Sequence, residues 1–312
     1  LYGARAETLA PSPAQLAGLD TIVVDLQDVG SRYYTYVWTA ALALKAAAAA
    51  GVRTVVLDRP NPLGGEPIEG APQRPGHRSF VGLYDVAVRH GMTIGEIATM
   101  VRAREGLDEA ALTVVPMRGY RRAMRFDDTG LPWVLPSPNM PTLDTALVYP
   151  GGCLLEGTAL SEGRGTTRPF ELFGAPALDG RGLAADVALE GAALRPTRFR
   201  PTFQKHAGRV CGGVQVHVTD AARFRPYEAY QRLIAAAARQ LGDAFAWRPD
   251  PYEFVADVPA IDLLTGGPEY RAAVEAGRGL DAVIAAERAG AEAFREARRP
   301  WLLYPPDDER RP

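Results

Sequence analysis

The stretch TIVVDL at Thr21–Leu26, read together with VRTVVLD at Val52–Asp58, decides the fold class of this chain. Short β-branched runs between turn-like segments predict strands, and the alanine-rich segment Thr39–Ala50 between them predicts a helix. Strand, helix and strand in this order form a right-handed crossover on a parallel sheet. Open parallel sheets bind ligands beyond the carboxyl ends of their strands, so we expect functional residues directly after each run.

The α/β alternation continues to about residue 117. Thr93 precedes Glu96 by three residues, which is the capping-box spacing, and this predicts the start of a helix that runs to Arg104. A further strand is expected at Leu112–Met117. The first part of the chain is therefore predicted to be an α/β domain with a parallel sheet.

A proline-rich stretch then interrupts the regular pattern, and we predict a boundary there between domains at 1–140 and 141–312. In the second part, the alternation at Val210–Val218 predicts a half-buried strand. Tyr227–Leu241 and Leu280–Arg298 are alanine-rich and predict helices. The second domain is therefore expected to be α+β, with the active-site cleft between the two domains.

Composition and charge exclude several classes of protein. The 312 residues carry 35 Lys+Arg against 37 Asp+Glu, a net charge of −2, which gives no basic surface for nucleic acid. The longest apolar stretch, Ala40–Ala50, contains Lys45 and falls short of the roughly 20 residues of a membrane span. Cys153 and Cys211 are expected to be buried thiols, and the four histidines lack metal-ligand spacing. We therefore predict neither a disulfide framework nor a metal site.

Phosphate-binding and nucleophile motifs are also absent from the sequence. No G-x-G-x-x-G follows the first predicted strand, and neither G-x-x-x-x-G-K-[ST] nor G-x-S-x-G occurs in the chain. This disfavours NAD, ATP and serine-hydrolase chemistry, and we predict no cofactor.

Polar loops follow the predicted strands. The first, DLQDVGSRYYTY, holds two carboxylates, one guanidinium and three phenols within twelve positions. The alternative is structural: Asp28 caps the next helix or pairs with Arg32, and the tyrosines cover the sheet. The second, DRPNPLGG, is a proline-stiffened turn whose Asx side chains either satisfy their own backbone or reach a ligand. The candidate residues from these two loops are Asp25, Asp28, Arg32, Tyr34, Tyr36, Asp58 and Asn61.

Two further segments carry candidate residues. Asn139 lies between prolines in SPNMP, which suits hydrogen bonds to sugar hydroxyls or, equally, a hinge between domains. The loop from 156 to 171 is rich in glycine and holds arginines that can clamp an anionic group, which favours an acidic substrate. A solvated, ion-paired surface loop is the alternative. The candidates from this loop are Glu156, Glu162, Arg164, Thr166, Thr167, Arg168 and Glu171.

These segments together resemble one bacterial family, the exo-β-N-acetylmuramidases. The resemblance rests on DLQDVGSRYYTY, LDRPNPLGG, VRHGMTIGE, FDDTGLPWVLPSPNMPTLDTALVYPG, LLEGTALSEGRGTTRPFELFGAP and PTFQKHAGRVCGGVQVHVTD, and it runs from Leu1 to about Tyr304. It implies a Rossmann-like first domain, a smaller second domain, and hydrolysis of terminal β-linked N-acetylmuramic acid from peptidoglycan fragments. It also favours an extracytoplasmic location, whereas the oligomeric state stays open.

The sequence departs from the family pattern at one point. Members begin roughly 80 residues earlier, about the size of a small domain, with a β-α unit and a Gly-Pro-Glu-His-Gly loop whose Glu is a leading catalytic candidate. Without that segment we expect the sheet to expose a hydrophobic edge, with poor solubility or association as the result.

The remaining residues receive the following roles. Glycoside hydrolysis usually needs two carboxylic groups, and we expect Glu162 and Asp28 to act in catalysis with Tyr34. The lactyl carboxylate of muramic acid needs a cation, for which Arg32, Arg164 and Arg168 are the candidates. The rival function is a non-catalytic binding protein for anionic cell-wall sugars. A nucleotide-dependent transferase is a third, weaker hypothesis because the glycine motifs are missing.

Overall fold

The computed structural model describes residues 1, 3 and 5–304, and its first half is built on a parallel sheet. The three strands lie in the order β1-β2-β3 and are β1 (Thr21–Val24), β2 (Arg53–Leu57) and β3 (Leu112–Val115). Val55 in the central strand pairs with Val23 on one side and Thr113 on the other. The predicted α/β fold with a parallel sheet is confirmed.

Helices cover one face of this sheet. They are α1 (Pro13–Leu16), α2 (Tyr36–Ala49) and α3 (Ile94–Arg104). Val24 and Val56 point to this face and pack in one core with Trp38. The predicted capping box is present, because the Thr93 side chain accepts from the amide of Glu96 and the Glu96 carboxylate accepts from the amide of Thr93.

The opposite face of the sheet carries exposed apolar side chains. Val23 is 60% exposed, Val115 46% and Leu57 36%, and all three alternate with buried or half-buried residues of their strands. These side chains form an exposed apolar face in the described part of the chain, whereas the exposed strand edge expected from the sequence stays a prediction.

The second half is built on an antiparallel sheet. Its strands lie in the order β4-β6-β5 and are β4 (Leu172–Ala175), β5 (Ala192–Phe199) and β6 (Cys211–Val218). The helices are α4 (Leu143–Gly152), α5 (Gly180–Asp186), α6 (Pro226–Leu241), α7 (Ala260–Thr265), α8 (Glu269–Ala276) and α9 (Leu280–Ala297). The predicted strand β6 and helices α6 and α9 are confirmed to within one residue at each end, and both cysteines are buried free thiols.

The two halves pack against each other and share one hydrophobic core. Edge-to-face rings connect Tyr34 to Tyr149 and Tyr149 to Phe170, with centroids 5.8 and 4.9 Å apart. At the end of the chain, Ala291 and Phe294 of α9 return to the hydrophobic core of the first half. The division at 140/141 stays a prediction, and residues 305–312 of the predicted second domain lie outside the described residues.

Among the described residues, no helix has both the length and the apolar character that crossing a bilayer requires.

Candidate active site

Loops of the first half surround the carboxyl ends of β1 to β3. Here a cavity of about 500 Å³ opens at the ends of all three strands, with Asp25, Leu57 and Met117 in its wall. Asp25 is half exposed and forms a salt bridge of 2.6 Å with Arg59. The position fits the ligand site of an open parallel sheet.

A carboxylate–histidine pair, Asp28 and His90, lies just after β1. Asp28 Oδ2 accepts from the Gly30 amide at 2.7 Å and lies 3.6 Å from His90 Nε2. The Met92 amide donates to His90 Nδ1, which assigns the ring proton to Nε2, on the side of Asp28. Both side chains are buried, and Asp28 Oδ1 has no hydrogen-bond partner among the described residues. One carboxylate oxygen is therefore held in place, while the other is buried without a hydrogen-bond partner.

Two tyrosines extend this group. The Tyr34 ring contacts the Tyr36 ring edge to face, with centroids 4.9 Å apart. The Tyr34 hydroxyl is buried and makes no hydrogen bond within the described part of the chain, although the hydroxyls of Tyr36 and Ser137 lie near it. Burial raises the pKa of Tyr34, and the negative charge of Asp28 adds to the shift. The hydroxyl therefore stays protonated and can donate to a sugar oxygen, whereas that of Tyr36 donates to the Pro136 carbonyl at 2.7 Å.

Asp58 and Asn61 hold the backbone around the carboxylate–histidine pair. Asn61 donates to the Met92 carbonyl at 3.0 Å and accepts from the Leu63 amide. Asp58 accepts from the Thr93 hydroxyl, from the Gly95 amide and from the Tyr304 hydroxyl, at 2.7 to 2.9 Å. Burial raises the pKa of Asp58, and these hydrogen bonds partly oppose the shift. Both side chains position the backbone here, Asp58 also lines the cavity at the strand ends, and their binding roles stay predictions.

The second polar group is an ion-pair network of Glu156, Glu162, Arg164 and Lys205. Arg164 contacts Glu156 at 2.7 Å and Glu162 at 3.3 Å, and the Lys205 ammonium lies 2.9 Å from Glu162. Burial opposes ionisation of Arg164, but the two carboxylates outweigh it and raise its pKa above the usual range. The Arg164 guanidinium also lies 5.1 Å above the Phe170 ring. The predicted catalytic residue Glu162 is therefore ion-paired with two cations, and Arg164 is ion-paired with two carboxylates.

Arg168 is the more available arginine of this loop. It is 42% exposed, and its one described ion contact is a long one of 3.7 Å to Glu171. Thr166 orders the turn by donating to the Gly163 carbonyl and accepting from the Arg168 amide, whereas Thr167 is exposed. Glu171 is buried and accepts from the Thr145 hydroxyl in the first turn of α4.

Arg32 does not reach the site. Its side chain is fully buried, and its guanidinium donates to the carbonyls of Ala71, Val86 and Leu264 at 2.7 to 3.0 Å. Burial lowers its pKa. The structure thus shows it as a residue that ties the first polar loop to the second half. Asn139 lies half-buried in the proline-rich loop, beside Ser137.

The aromatic contacts bring most of the predicted residues together. The Tyr149 ring contacts Tyr34, which belongs to the polar group of Asp28. It also contacts Phe170, whose ring lies under the Arg164 guanidinium. The two polar groups therefore flank the ring of Tyr149. His90 and Lys205 were not predicted from the sequence. Both lie in segments that carry the family resemblance, and Lys205 is also one of only two lysines in a chain rich in arginine. The described residues contain no group of three or more His, Cys, Asp or Glu that can hold a metal ion.

Family models match both halves of the chain. The N-terminal domain of the exo-beta-N-acetylmuramidase NamZ matches residues 1–144, and its C-terminal domain matches residues 147–304. The peptidoglycan beta-N-acetylmuramidase NamZ of Bacillus subtilis strain 168 is 42% identical over 307 residues, which are 97% of this chain and 72% of the relative.

Two crystal structures have a similar fold, both of DUF1343 family proteins from Bacteroides fragilis NCTC 9343. One has a TM-score of 0.86 at 30% identity, and the alignment covers 96% of this chain and 79% of the other. The second has a TM-score of 0.71 at 28% identity, and the alignment covers 95% of this chain and 79% of the other. With both family models matched, the chain belongs to the exo-β-N-acetylmuramidase NamZ family.

Proposed function

We propose that this chain is an exo-acting glycoside hydrolase that releases terminal β-linked N-acetylmuramic acid from peptidoglycan fragments. The observation that carries the proposal is the 42% identity, over 97% of the chain, to a protein named peptidoglycan beta-N-acetylmuramidase. The matches to both domains of that family support it. The site is in keeping with this chemistry, because carboxylates, phenols and a half-exposed arginine lie in segments that the ring contacts of Tyr149 bring together.

Asp28 is our candidate for a reacting carboxylate. Glycosidases act through carboxyl groups on the two sides of the scissile bond. The Gly30 amide and the ring of His90 both face Oδ2, which leaves Oδ1 for the sugar or for a water. Tyr34 contributes a protonated hydroxyl beside it. In this proposal His90 is a positioning residue, because it acts through Asp28.

Arg168 is our candidate for the cation that recognises the lactyl carboxylate. Of the three predicted arginines, Arg32 is enclosed by carbonyls and Arg164 is paired with two carboxylates. Arg168 is half exposed and has one long contact. A guanidinium with donors to spare can bind a carboxylate through two parallel hydrogen bonds, which a neutral N-acetylglucosamine does not offer.

The activity is tested with the disaccharide of N-acetylmuramic acid β-linked to N-acetylglucosamine. We expect both monosaccharides as products, and from longer glycans only the terminal muramic acid. Tight binding of the disaccharide without any release would instead support a binding protein for anionic sugars. Thermal stabilisation by nucleotides, with no sugar released, would support the transferase hypothesis.

We also propose that the protein works outside the cytoplasm. Its proposed substrate is a fragment of the cell wall, and the family resemblance favours this location. Fractionation of cells that express the natural gene tests the proposal. Activity found in the cytoplasmic fraction alone would place the enzyme in the recycling of imported fragments.

A further inference from the structure

A second cavity of about 580 Å³ lies between α6 and α9, and its wall contains none of the residues of the candidate active site. The loop after β2 closes one side of it. Its volume is in the range of small-molecule sites. Its wall includes Ile68, Gln231, Ile284, Glu287, Ala291 and Arg225.

Two side chains of the polar wall, Glu287 and Gln231, present acceptors. Glu287 Oε1 accepts from the Tyr227 hydroxyl at 2.9 Å, and Oε2 accepts from Gln231 Nε2 at 2.7 Å. Gln231 is fully buried, yet its Oε1 has no hydrogen-bond partner among the described residues. A buried acceptor that lacks a donor destabilises the empty cavity. The wall therefore calls for a ligand that brings N–H or O–H donors.

The charges around Glu287 favour a cationic donor. Burial raises the pKa of Glu287 to about 7, whereas Tyr227, Gln231 and Arg32 oppose the shift and Glu269 adds to it. Glu269 is itself paired with Arg74 on the outer side. An ammonium group beside Glu287 would compensate the carboxylate that burial disfavours.

The mouth of the cavity has the opposite charge. The Arg225 guanidinium donates only to the carbonyls of Ala222 and Phe224, and it forms no salt bridge in the described part of the chain. The other arginines of the rim are ion-paired, namely Arg223 with Glu190, Arg288 with Glu228 and Arg295 with Glu292. Arg225 is thus free to bind an anionic group at the entrance.

We propose that this cavity binds an amino acid or short peptide that carries an ammonium group on an alkyl chain and a carboxylate at the other end. The ammonium lies against Glu287 and Gln231, and the carboxylate lies at Arg225. The methylene groups pack on Ile68, Ile284 and Ala291. The inference goes beyond the muramidase activity, because the site shares no residue with the proposed catalytic group.

Isothermal titration calorimetry at pH 8 with the full chain tests the site. The probes are 6-aminohexanoate, with both charges, and hexanoate, with the carboxylate alone. We expect 6-aminohexanoate to bind with one site per chain and hexanoate not to bind. Glycyl-lysine and lysine distinguish a peptide from a free amino acid as the natural ligand. Absence of binding by every ammonium probe at about 10 mM, the weak limit of such sites, would overturn the proposal.

Variants locate the binding site. Glu287→Gln and Gln231→Met remove charge-assisted contacts and are expected to weaken binding about tenfold or more. The matched control is Glu296→Gln on the exposed part of the same helix, where Glu296 pairs with Arg299, and binding should not change. Equal affinity in the wild type and in a folded Glu287→Gln variant would overturn the proposal.

A measurement on the wild type alone covers the case in which these variants do not fold. Titration at pH 7 in buffers of different ionisation enthalpy reports the protons released on binding. Because an ammonium group stabilises the Glu287 carboxylate against its proton, we expect a net release of protons. Binding without proton exchange would contradict the contact with Glu287.

Discussion

Replacing Arg168 with methionine should change the substrate preference of the enzyme with little effect on its fold. The side chain is 42% exposed and its one described ion contact is 3.7 Å long, so the stability loss should stay below about 0.5 kcal/mol. A charge-assisted pair with the lactyl carboxylate is worth about 1.5–3 kcal/mol, and partial exposure favours the lower end. At about 1.4 kcal/mol per decade, kcat/KM for muramyl substrates should fall roughly 10- to 30-fold.

The assay compares kcat/KM for a chromogenic N-acetylmuraminide with that for the N-acetylglucosaminide of the same leaving group. Only the first should respond to Arg168→Met, and Arg168→Lys should fall in between because it keeps the charge but loses the planar fork. Arg198→Met, on the exposed side of β5, is the matched control. Equal losses on both substrates, or no loss on the muraminide, would refute the assignment.

Three further predictions concern the framework. Arg122→Met leaves Glu96 buried without its cation and should destabilise the protein by about 3–5 kcal/mol in denaturant unfolding; a loss below about 1 kcal/mol would contradict this. Because Glu287 binds its proton more tightly when folded, stability should fall by up to about 3 kcal/mol between pH 4.5 and pH 7. That slope should be absent from Glu287→Gln in melting curves across this range, and parallel curves would refute it. Gly30→Ala, at φ +75 and with a Cβ that would clash with the Asn61 side-chain oxygen, should lower stability by about 1–3 kcal/mol and impair activity through Asp28. Full activity would argue against that geometry.

The elements that the sequence predicted correctly are those with strong local signals. The strands around Thr21–Val24 and Arg53–Leu57 are β-branched, and the helix after Thr93 begins with a capping box. Elements with conflicting signals were missed. Helix α4 contains Pro150 followed by two glycines, and strand β5 contains Pro196, which a half-exposed strand with a free edge tolerates.

The residue types of the candidate site could be predicted from the sequence, but the hydrogen-bond and ion-pair partners of these residues could not. Arg32 was predicted to bind substrate, yet it donates to a carbonyl 232 residues later in the chain. Glu162 was predicted as a catalytic residue, yet its carboxylate is ion-paired with Lys205 from another loop. His90 lies in the segment VRHGMTIGE, which carries the family resemblance, but only the folded structure brings it next to Asp28. Contacts between distant segments decide these roles, and local patterns do not encode them.

The most direct test of the account is the rate at which the chain and its Asp28→Asn variant release N-acetylmuramic acid from the disaccharide. The substitution keeps the size and buried position of the side chain but removes the carboxylate. The account predicts release by the wild type and a loss of at least about 100-fold in kcat in a variant that melts normally, the scale of removing one acid–base group. Release at the same rate by both proteins would contradict the assignment of Asp28 as a reacting carboxylate.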